Sequence, residues 1–184
     1  MKNTTSRRHF MRNSAFAITG LAVLSPTLSS AFTSSECPYL GYNPYAETKT
    51  DLRTGIFKGA SVTVKGTVFE KDGITPLKNA TIEVWHLSPN SSKYRNRAKL
   101  SADHKGEYSF ITDFPNTETG NSARIYFKVS TSENTDFTEL ILTKQGAHIT
   151  GEHWAKNKSL GDKLLPSSKT SFFDETVIKF NLSI

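Results

Sequence analysis

The chain has 184 residues, with 23 lysines and arginines against 17 aspartates and glutamates, and a formal net charge of +6 at pH 7. The first 31 residues hold four of the basic residues and no acidic one, so the remainder has 19 basic and 17 acidic residues, a net charge of +2. This near balance gives no indication of a nucleic-acid partner. The single cysteine, Cys37, excludes an intramolecular disulfide, so an ordinary hydrophobic core must stabilise the fold.

Residues 1–31 have the features of a secretory signal peptide. The basic start contains the pair Arg7-Arg8, residues 15–24 are apolar, and Ser29-Ser30-Ala31 offers a small-residue cleavage site. The arginine pair matches the twin-arginine export pattern, and the apolar run is too short to span a bilayer as a stable helix. A buried N-terminal core helix is the alternative. We predict export to the periplasm or the extracellular space, followed by a mature domain over 32–184 with no membrane span.

Hydrophobic periodicity predicts β-structure in the mature region. After an irregular arm over residues 32–54, apolar and polar residues alternate from Ser61 to Val68, which indicates a half-buried strand. Turn residues at 72–76 separate it from a second strand, Thr81 to His86, and we interpret the two strands as an antiparallel connection. Further strands are predicted at 107–112, 123–129, 137–143 and 176–184.

Few segments depart from this pattern. The polar segment from Ser88 to Lys99 predicts a surface loop, and only His148 to Lys163 is compatible with a turn or two of helix, which Gly151 and Gly161 disfavour. Regularly spaced strands without helical periodicity between them predict a single all-β domain, an antiparallel β-sandwich. Its predicted core comprises Val64, Val68, Ile82, Val84, Phe110, Ile125, Phe127, Ile178 and Phe180.

Several segments together resemble one family. They are Gly66-Thr67-Val68, then PLKNATIEVWH over residues 76–86, then Tyr94, then DHKGEYSF over residues 103–110. The series resembles the core of the intradiol ring-cleavage dioxygenases, which include catechol, hydroxyquinol and protocatechuate dioxygenases. Segments 51–54, 137–140 and 177–182 extend the resemblance over nearly all of the mature chain. The same skeleton is similar to carboxypeptidase regulatory-like and transthyretin-like sandwiches, but Trp85 and the arm favour the dioxygenases.

The resemblance implies a mononuclear Fe(III) site, held by two tyrosinates and two histidines, that binds a catecholate and inserts dioxygen between its hydroxyl-bearing carbons. Phenolate oxygen suits the hard ferric ion, and neutral imidazole supplies nitrogen donors. The family's tyrosine ligands correspond to Tyr94 and Tyr108. Its two histidines correspond to Arg124 and Tyr126, so both imidazoles are missing, and a guanidinium has no lone pair to offer a metal. We expect Arg124 and Tyr126 to form a hydrogen-bonded pair.

The remaining candidate residues have weaker signals. We expect His86 to be structural, and His148 and His153 to lie in a solvated loop, since their spacing matches no standard helical metal pair. Cys37 could carry a lipid, but the preceding Ser34-Ser35-Glu36 is unlike a lipoprotein signal, and we expect a free, partly buried thiol. No Ser-His-Asp arrangement, phosphate-binding glycine loop or cysteine metal motif is visible.

The sequence therefore leaves two functions open. One is an exported ring-cleavage dioxygenase with a degenerate or repurposed site, for which the incomplete set of iron ligands argues against activity. The alternative is a noncatalytic small-molecule-binding or structural β-sandwich. In that alternative, Arg124 and Tyr126, with the tyrosines nearby, could bind an aromatic or anionic small molecule through charge and stacking.

Overall fold

The computed structural model describes residues 37–54, 60–118, 122–143, 145–170 and 175–184. They belong to one compact unit, Cys37–Ile184. The signal peptide lies outside these residues, so export and cleavage remain predictions. Among the described residues, no helix combines the length and the apolar character that crossing a membrane requires.

Ten β-strands are described: β1 (Ser61–Phe69), β2 (Thr81–His86), β3 (Asn96–Ser101), β4 (Glu107–Asp113), β5 (Ala123–Ser130), β6 (Thr135–Thr143), β7 (Gly146–Ile149), β8 (Ser167–Thr170), β9 (Glu175–Lys179) and β10 (Leu182–Ser183). A short helix, α1 (Gly151–Lys156), and a 3-10 helix (Lys158–Lys163) separate β7 from β8. The predicted turn or two of helix is therefore confirmed. The 3-10 helix has a kink at Gly161, which has a positive φ of 53°.

The strands form two sheets. In the first sheet, β1 pairs antiparallel with β4 and parallel with both β9 and β10, and β8 lies beyond β9. The second sheet has the order β3-β2-β5-β6-β7 and is antiparallel throughout. The predicted β-sandwich is confirmed, with two parallel pairings that the sequence did not indicate. The predicted last strand is also nearly correct, because β9 and β10 keep one register on β1 across the break at Phe180 and Asn181.

Apolar side chains from both sheets fill the space between them. All nine residues of the predicted core are buried. The Phe127 ring, on β5, lies 6.1 Å from that of Phe110 on β4 and 5.2 Å from that of Phe180, measured between ring centroids. These tilted aromatic contacts join the two sheets across the core.

Two expectations about the strands are wrong. The segment from β1 to β2 is not a hairpin connection, because β1 belongs to the first sheet and β2 to the second. The segment Ser88 to Lys99 is not wholly a loop, since β3 begins at Asn96. The side chain of Asn96 is buried and donates hydrogen bonds to the Leu52 carbonyl at 2.9 Å and to Asp113 Oδ2 at 3.0 Å. A buried polar residue, held here by the hydrogen bonds of its side-chain Nδ2, interrupts the apolar pattern by which strands are predicted.

The prediction for His86 is confirmed, whereas that for His153 is wrong. His86 is structural, as expected: it is fully buried, with Nδ1 2.7 Å from the Leu87 carbonyl and Nε2 2.6 Å from Thr112 Oγ1. His153 is not in a solvated loop. It lies on α1 and is 1% exposed. Its ring packs at a tilt against that of Phe180, and Nδ1 contacts Thr138 Oγ1 at 2.7 Å. Burial lowers the pKa of both histidines from 6.5 to about 4.

Candidate functional site

The outer face of the second sheet carries polar and aromatic side chains. On β5, Ile125, Phe127 and Val129 point into the core, whereas Arg124, Tyr126 and Lys128 alternate with them and point outward. This division of β5 was predicted. Tyr126 nevertheless is only 5% exposed, so another part of the chain covers this face.

The covering segment is residues 37–54, which we call the N-terminal arm. The Tyr39 ring stacks on the Tyr126 ring, with centroids 4.7 Å apart and planes at 23°. Trp85, on β2, donates its indole N–H to the Leu40 carbonyl at 2.9 Å. Gly41 has a φ of +78°, and a Cβ at this position would lie 2.1 Å from Cγ of Tyr94. Only glycine therefore allows the arm to follow this path against the Tyr94 ring.

Backbone hydrogen bonds fix the arm to both sheets. Lys99 N–H on β3 donates to the Glu47 carbonyl at 2.9 Å. Ile111 on β4 exchanges hydrogen bonds with the arm, donating to Thr50 and accepting from Leu52, each at 2.8 Å. The arm is consequently part of the domain. The free thiol of Cys37, at its start, is partly buried as predicted, and burial raises the pKa of that thiol.

Glu118 is the centre of a hydrogen-bond cluster on this face. Tyr94 and Tyr126 both donate their hydroxyl hydrogens to Oε1 of Glu118, at 2.6 Å and 2.8 Å. Burial raises the pKa of each of these phenols, and the hydrogen bond to Glu118 raises it further. For Tyr39, burial together with nearby Glu139 raises the pKa to about 12. All three phenols are therefore protonated at neutral pH.

Two ion pairs flank the phenols. Arg124 Nη1 bonds to Oε1 of Glu139, a buried residue on β6 that lies directly opposite Tyr126 in the sheet. Lys128 Nζ lies 3.1 Å from Oε2 of buried Glu83 and donates to the Tyr42 hydroxyl at 2.7 Å. The predicted hydrogen bond between Arg124 and Tyr126 is thus wrong, since each of them bonds to a carboxylate of its own.

Tyr108 is not part of this cluster. It lies on β4 of the first sheet, is 5% exposed, and donates its hydroxyl hydrogen to the Phe180 carbonyl at 2.7 Å. Burial raises the pKa of this phenol as well. Tyr94, by contrast, reaches the outer face of the second sheet. The structure therefore does not bring together the two tyrosines that the resemblance implies as ligands.

Solved structures provide the comparison that decides the fold. The chain superposes on the dioxygenase domain of a dioxygenase carbohydrate-binding protein fusion from Streptomyces sp. SirexAA-E, with a TM-score of 0.60 and 18% identity over 81% of this chain and 94% of that one. It also superposes on an intradiol ring-cleavage dioxygenase from Tetranychus urticae, with a TM-score of 0.59 and 14% identity over 80% and 90% of the two chains. The fold is that of the intradiol ring-cleavage dioxygenases.

A third solved structure extends this likeness. The 3-chlorocatechol 1,2-dioxygenase from Rhodococcus opacus 1CP matches 97% of this chain and 89% of its own, with a TM-score of 0.57 and 14% identity. No family model matches the chain, and no curated protein sequence is similar to it. The structural matches thus confirm the resemblance to intradiol dioxygenases that the sequence indicated, at the level of the fold.

The residues of the cluster do not fit the iron site of an intradiol dioxygenase. That site requires two phenolates and two neutral imidazoles, whereas Tyr94, Tyr126 and Glu118 provide only oxygen atoms and no nitrogen. Arg124 adds a fixed positive charge that would repel a ferric ion. Over the part of the chain that the structure describes, no three histidine, cysteine, aspartate or glutamate residues are grouped as a metal ion would need.

Three residues on this face were not predicted from the sequence. Glu118 lies in a polar loop before β5, where nothing in the local sequence marks it. Tyr39 belongs to an arm that has no regular secondary structure. Glu139 could have been found, because antiparallel pairing of the predicted strands 123–129 and 137–143 places it opposite one of the β5 residues that face outward.

Proposed function

We propose that this protein uses the intradiol dioxygenase fold without a ring-cleaving iron site. The observation that carries the proposal is the position of Glu118, whose single oxygen Oε1 accepts hydrogen bonds from both Tyr94 and Tyr126. A phenol that donates its hydrogen to a carboxylate is not available as a phenolate ligand. Iron binding at this place would have to break both hydrogen bonds and gain no nitrogen donor in return.

The charge of Arg124 supports the same conclusion. Its guanidinium is paired with Glu139 and held on the outward face of β5, the face that also carries Tyr126. If Arg124 and Tyr126 stand at the positions of the family's histidines, as the resemblance implies, both neutral donors have been exchanged for groups that serve a hydrogen-bond cluster. The domain then acts through binding or through its surface rather than through oxygen chemistry.

Oxygen uptake in the presence of catechol tests this proposal. The purified mature protein, incubated with ferric iron and then freed of excess metal, is expected to consume no oxygen above a protein-free control. Turnover of catechol by the unmodified protein would contradict the proposal. The double variant Arg124→His with Tyr126→His is expected to retain more iron than the unmodified protein, because two imidazoles would join Tyr94 and Glu118.

One observation favours a ligand on this face. The Nε atom of Arg124 is buried and has no hydrogen-bond partner among the described residues, and a buried unpaired donor is costly. A small aromatic carboxylate that displaced Tyr39 of the arm from Tyr126 would supply an acceptor for Nε and a ring to stack on Tyr126. Titration with benzoate is expected to shift resonances of these rings, and the variant Arg124→Met is expected to bind at least tenfold less tightly, about 1.4 kcal/mol.

Export through the twin-arginine route is the second part of the proposal. It is supported by Arg7-Arg8 and by the small-residue site that ends at Ala31. Replacing Arg7-Arg8 by Lys-Lys is expected to leave the precursor inside the cell. Normal export of that variant would contradict the twin-arginine route, and an intact N-terminus on exported protein would contradict cleavage.

A further inference from the structure

The N-terminal arm is attached to the domain in two different ways. Residues 47–52 form backbone hydrogen bonds to both sheets, with Glu47 bonded to β3, and Thr50 and Leu52 bonded to β4. In the described part of the chain, no backbone-to-backbone hydrogen bond joins residues 37–40 to either sheet. We call residues 37–40 the strap. Segments with few backbone hydrogen bonds and few buried contacts open most easily, so the strap is the part of the arm most able to leave the surface.

Side-chain contacts hold the strap against the second sheet. The Tyr39 ring stacks on Tyr126, with 4.7 Å between ring centroids, and lies 6.5 Å from the ring of Trp85. The Leu40 carbonyl accepts the indole N–H of Trp85 at 2.9 Å. The Tyr39 hydroxyl forms no hydrogen bond with the described residues, and no residue of the strap is fully buried. Tyr39 therefore contributes only its ring to the closed arrangement.

The strap ends at a glycine that precedes a firmly held residue. The hydroxyl of Tyr42 accepts a hydrogen bond from Lys128 Nζ at 2.7 Å and donates to Glu83 Oε1 at 3.2 Å. The Tyr42 ring also packs at a tilt against Trp85, with 5.2 Å between centroids. Gly41, with a φ of +78°, lies between Tyr42 and the strap. Because glycine tolerates large changes of its backbone angles, Gly41 can act as a hinge while Tyr42 stays in place.

The surface beneath the strap has the properties of a ligand site. Trp85 is 1% exposed and Tyr126 is 5% exposed, and their ring centroids lie 5.7 Å apart, so the two rings form an aromatic floor. On the same face, Nε of Arg124 is buried without a hydrogen-bond partner among the described residues, whereas buried polar groups are normally bonded. Tyr39 covers the floor but supplies no acceptor to Arg124.

Building on the aromatic carboxylate site proposed above, we propose that the strap is its displaceable cover, with Tyr39 in the position of the ligand ring. A ligand ring and the Tyr39 ring cannot stack on the same face of Tyr126, so binding requires an open strap. When the competent state is only a minor population, the apparent dissociation constant rises by the reciprocal of that population. The strap thus sets the affinity of the site.

Two measurements on the mature protein test the proposal. Calorimetric titration with benzoate gives the affinity, and the rate of alkylation of Cys37 by iodoacetamide reports opening of the strap. Cys37 is the only cysteine, is partly buried, and has its Sγ 3.5 Å from the Tyr39 carbonyl oxygen. Tyr39→Ala is expected to bind benzoate about tenfold more tightly and to be alkylated severalfold faster without benzoate. Saturating benzoate is expected to raise the alkylation rate of the unmodified protein to that of Tyr39→Ala.

Three further variants separate the ring of Tyr39 from its surroundings. Tyr39→Phe keeps the ring and is expected to match the unmodified protein in both measurements. The matched control Leu40→Ala removes a side chain of the strap that is 76% exposed and keeps the carbonyl, so it is expected to match as well. Adding Arg124→Met to Tyr39→Ala is expected to weaken benzoate binding about tenfold. Thermal unfolding checks that each variant folds.

The outcomes distinguish this proposal from the ligand site on which it rests. If benzoate binds the unmodified protein and Tyr39→Ala with equal affinity, or binds without accelerating the alkylation of Cys37, only the strap proposal is overturned. If benzoate binds neither protein, the ligand site itself is wrong and the strap proposal fails with it. A gain of affinity in Leu40→Ala equal to that in Tyr39→Ala also overturns the strap proposal, because the Tyr39 ring would then not be responsible.

Discussion

The two faces of β5 follow different rules. On the inner face, Ile125, Phe127 and Val129 pack into the core, where apolar shape alone decides whether the sheets can join. On the outer face, Arg124 and Tyr126 are bonded to carboxylates from other segments, and Tyr39 of the arm covers the Tyr126 ring. Many apolar residues can satisfy the inner face, but only particular donors can build an iron site on the outer one. The fold of the dioxygenases is therefore compatible with a different chemistry on the outer face.

Phe127→Ala tests the inner face with the largest expected effect. Its ring is fully buried and contacts both Phe110 and Phe180, so its loss leaves a cavity between the sheets. The free energy of unfolding is expected to fall by about 3–5 kcal/mol in chemical denaturation. The control Leu165→Ala, at a side chain that is 68% exposed, is expected to change it by about 0.5 kcal/mol or less. Equal effects of the two variants would contradict the assigned core.

Acid provides a second test of the inner face, through His86 and His153. Their folded-state pKa values of about 4 lie below the usual 6.5, so the unfolded chain binds more protons between these values and stability is lost as the pH falls. Each histidine is expected to lower the free energy of unfolding by about 2 kcal/mol from pH 7 to pH 5. His153→Gln is expected to reduce this pH dependence by about half. A flat profile would contradict burial of the neutral imidazoles.

Breaking the Arg124 and Glu139 pair tests the outer face. Removing the guanidinium by Arg124→Met leaves the carboxylate of Glu139, which is 8% exposed, without its partner. We expect a loss of about 1–2 kcal/mol, because part of the guanidinium remains in water. Adding Glu139→Gln is expected to restore part of this loss. Strictly additive effects in the double-mutant cycle would show that the pair is not coupled.

Tyr126→Phe is the mildest change on the outer face. It keeps the ring that Tyr39 covers and removes one of the two hydrogen bonds to Glu118. The expected cost is about 0.5–1.5 kcal/mol of unfolding free energy. Tyr94→Phe removes the other hydrogen bond and is expected to cost a similar amount. If neither change affects stability or the titration of the remaining phenol, the Glu118 cluster does not exist in solution.

The sequence predicted the inner face much better than the outer one. Period-two alternation identifies Ile125 and Phe127 as core residues, because a single physical quantity, apolar burial, sets the pattern. It failed at β3, where buried Asn96 interrupts the apolar series. It also failed to separate β1 and β2 into different sheets, since a turn signal marks where the chain reverses but does not identify the partner of each strand.

The outer face could be predicted only in part. That Arg124 and Tyr126 share a face follows from their spacing in one strand. Their partners Glu118 and Tyr39 come from a loop and an irregular arm, for which no periodicity exists. Only the resemblance pairs Tyr108 with Tyr94, whereas the position of Tyr108 in β4 directs its hydroxyl group to the carbonyl of Phe180. Tertiary contacts of this kind are not encoded in local pattern.

The iron content and visible spectrum of the purified mature protein test the central claim most directly. If Tyr94 and Tyr126 serve Glu118 as hydrogen-bond donors, the protein is expected to be colourless, with far less than one iron per chain even after incubation with a ferric salt. Stoichiometric iron with a visible phenolate-to-ferric charge-transfer band, lost in Tyr94→Phe or Tyr126→Phe, would contradict the account.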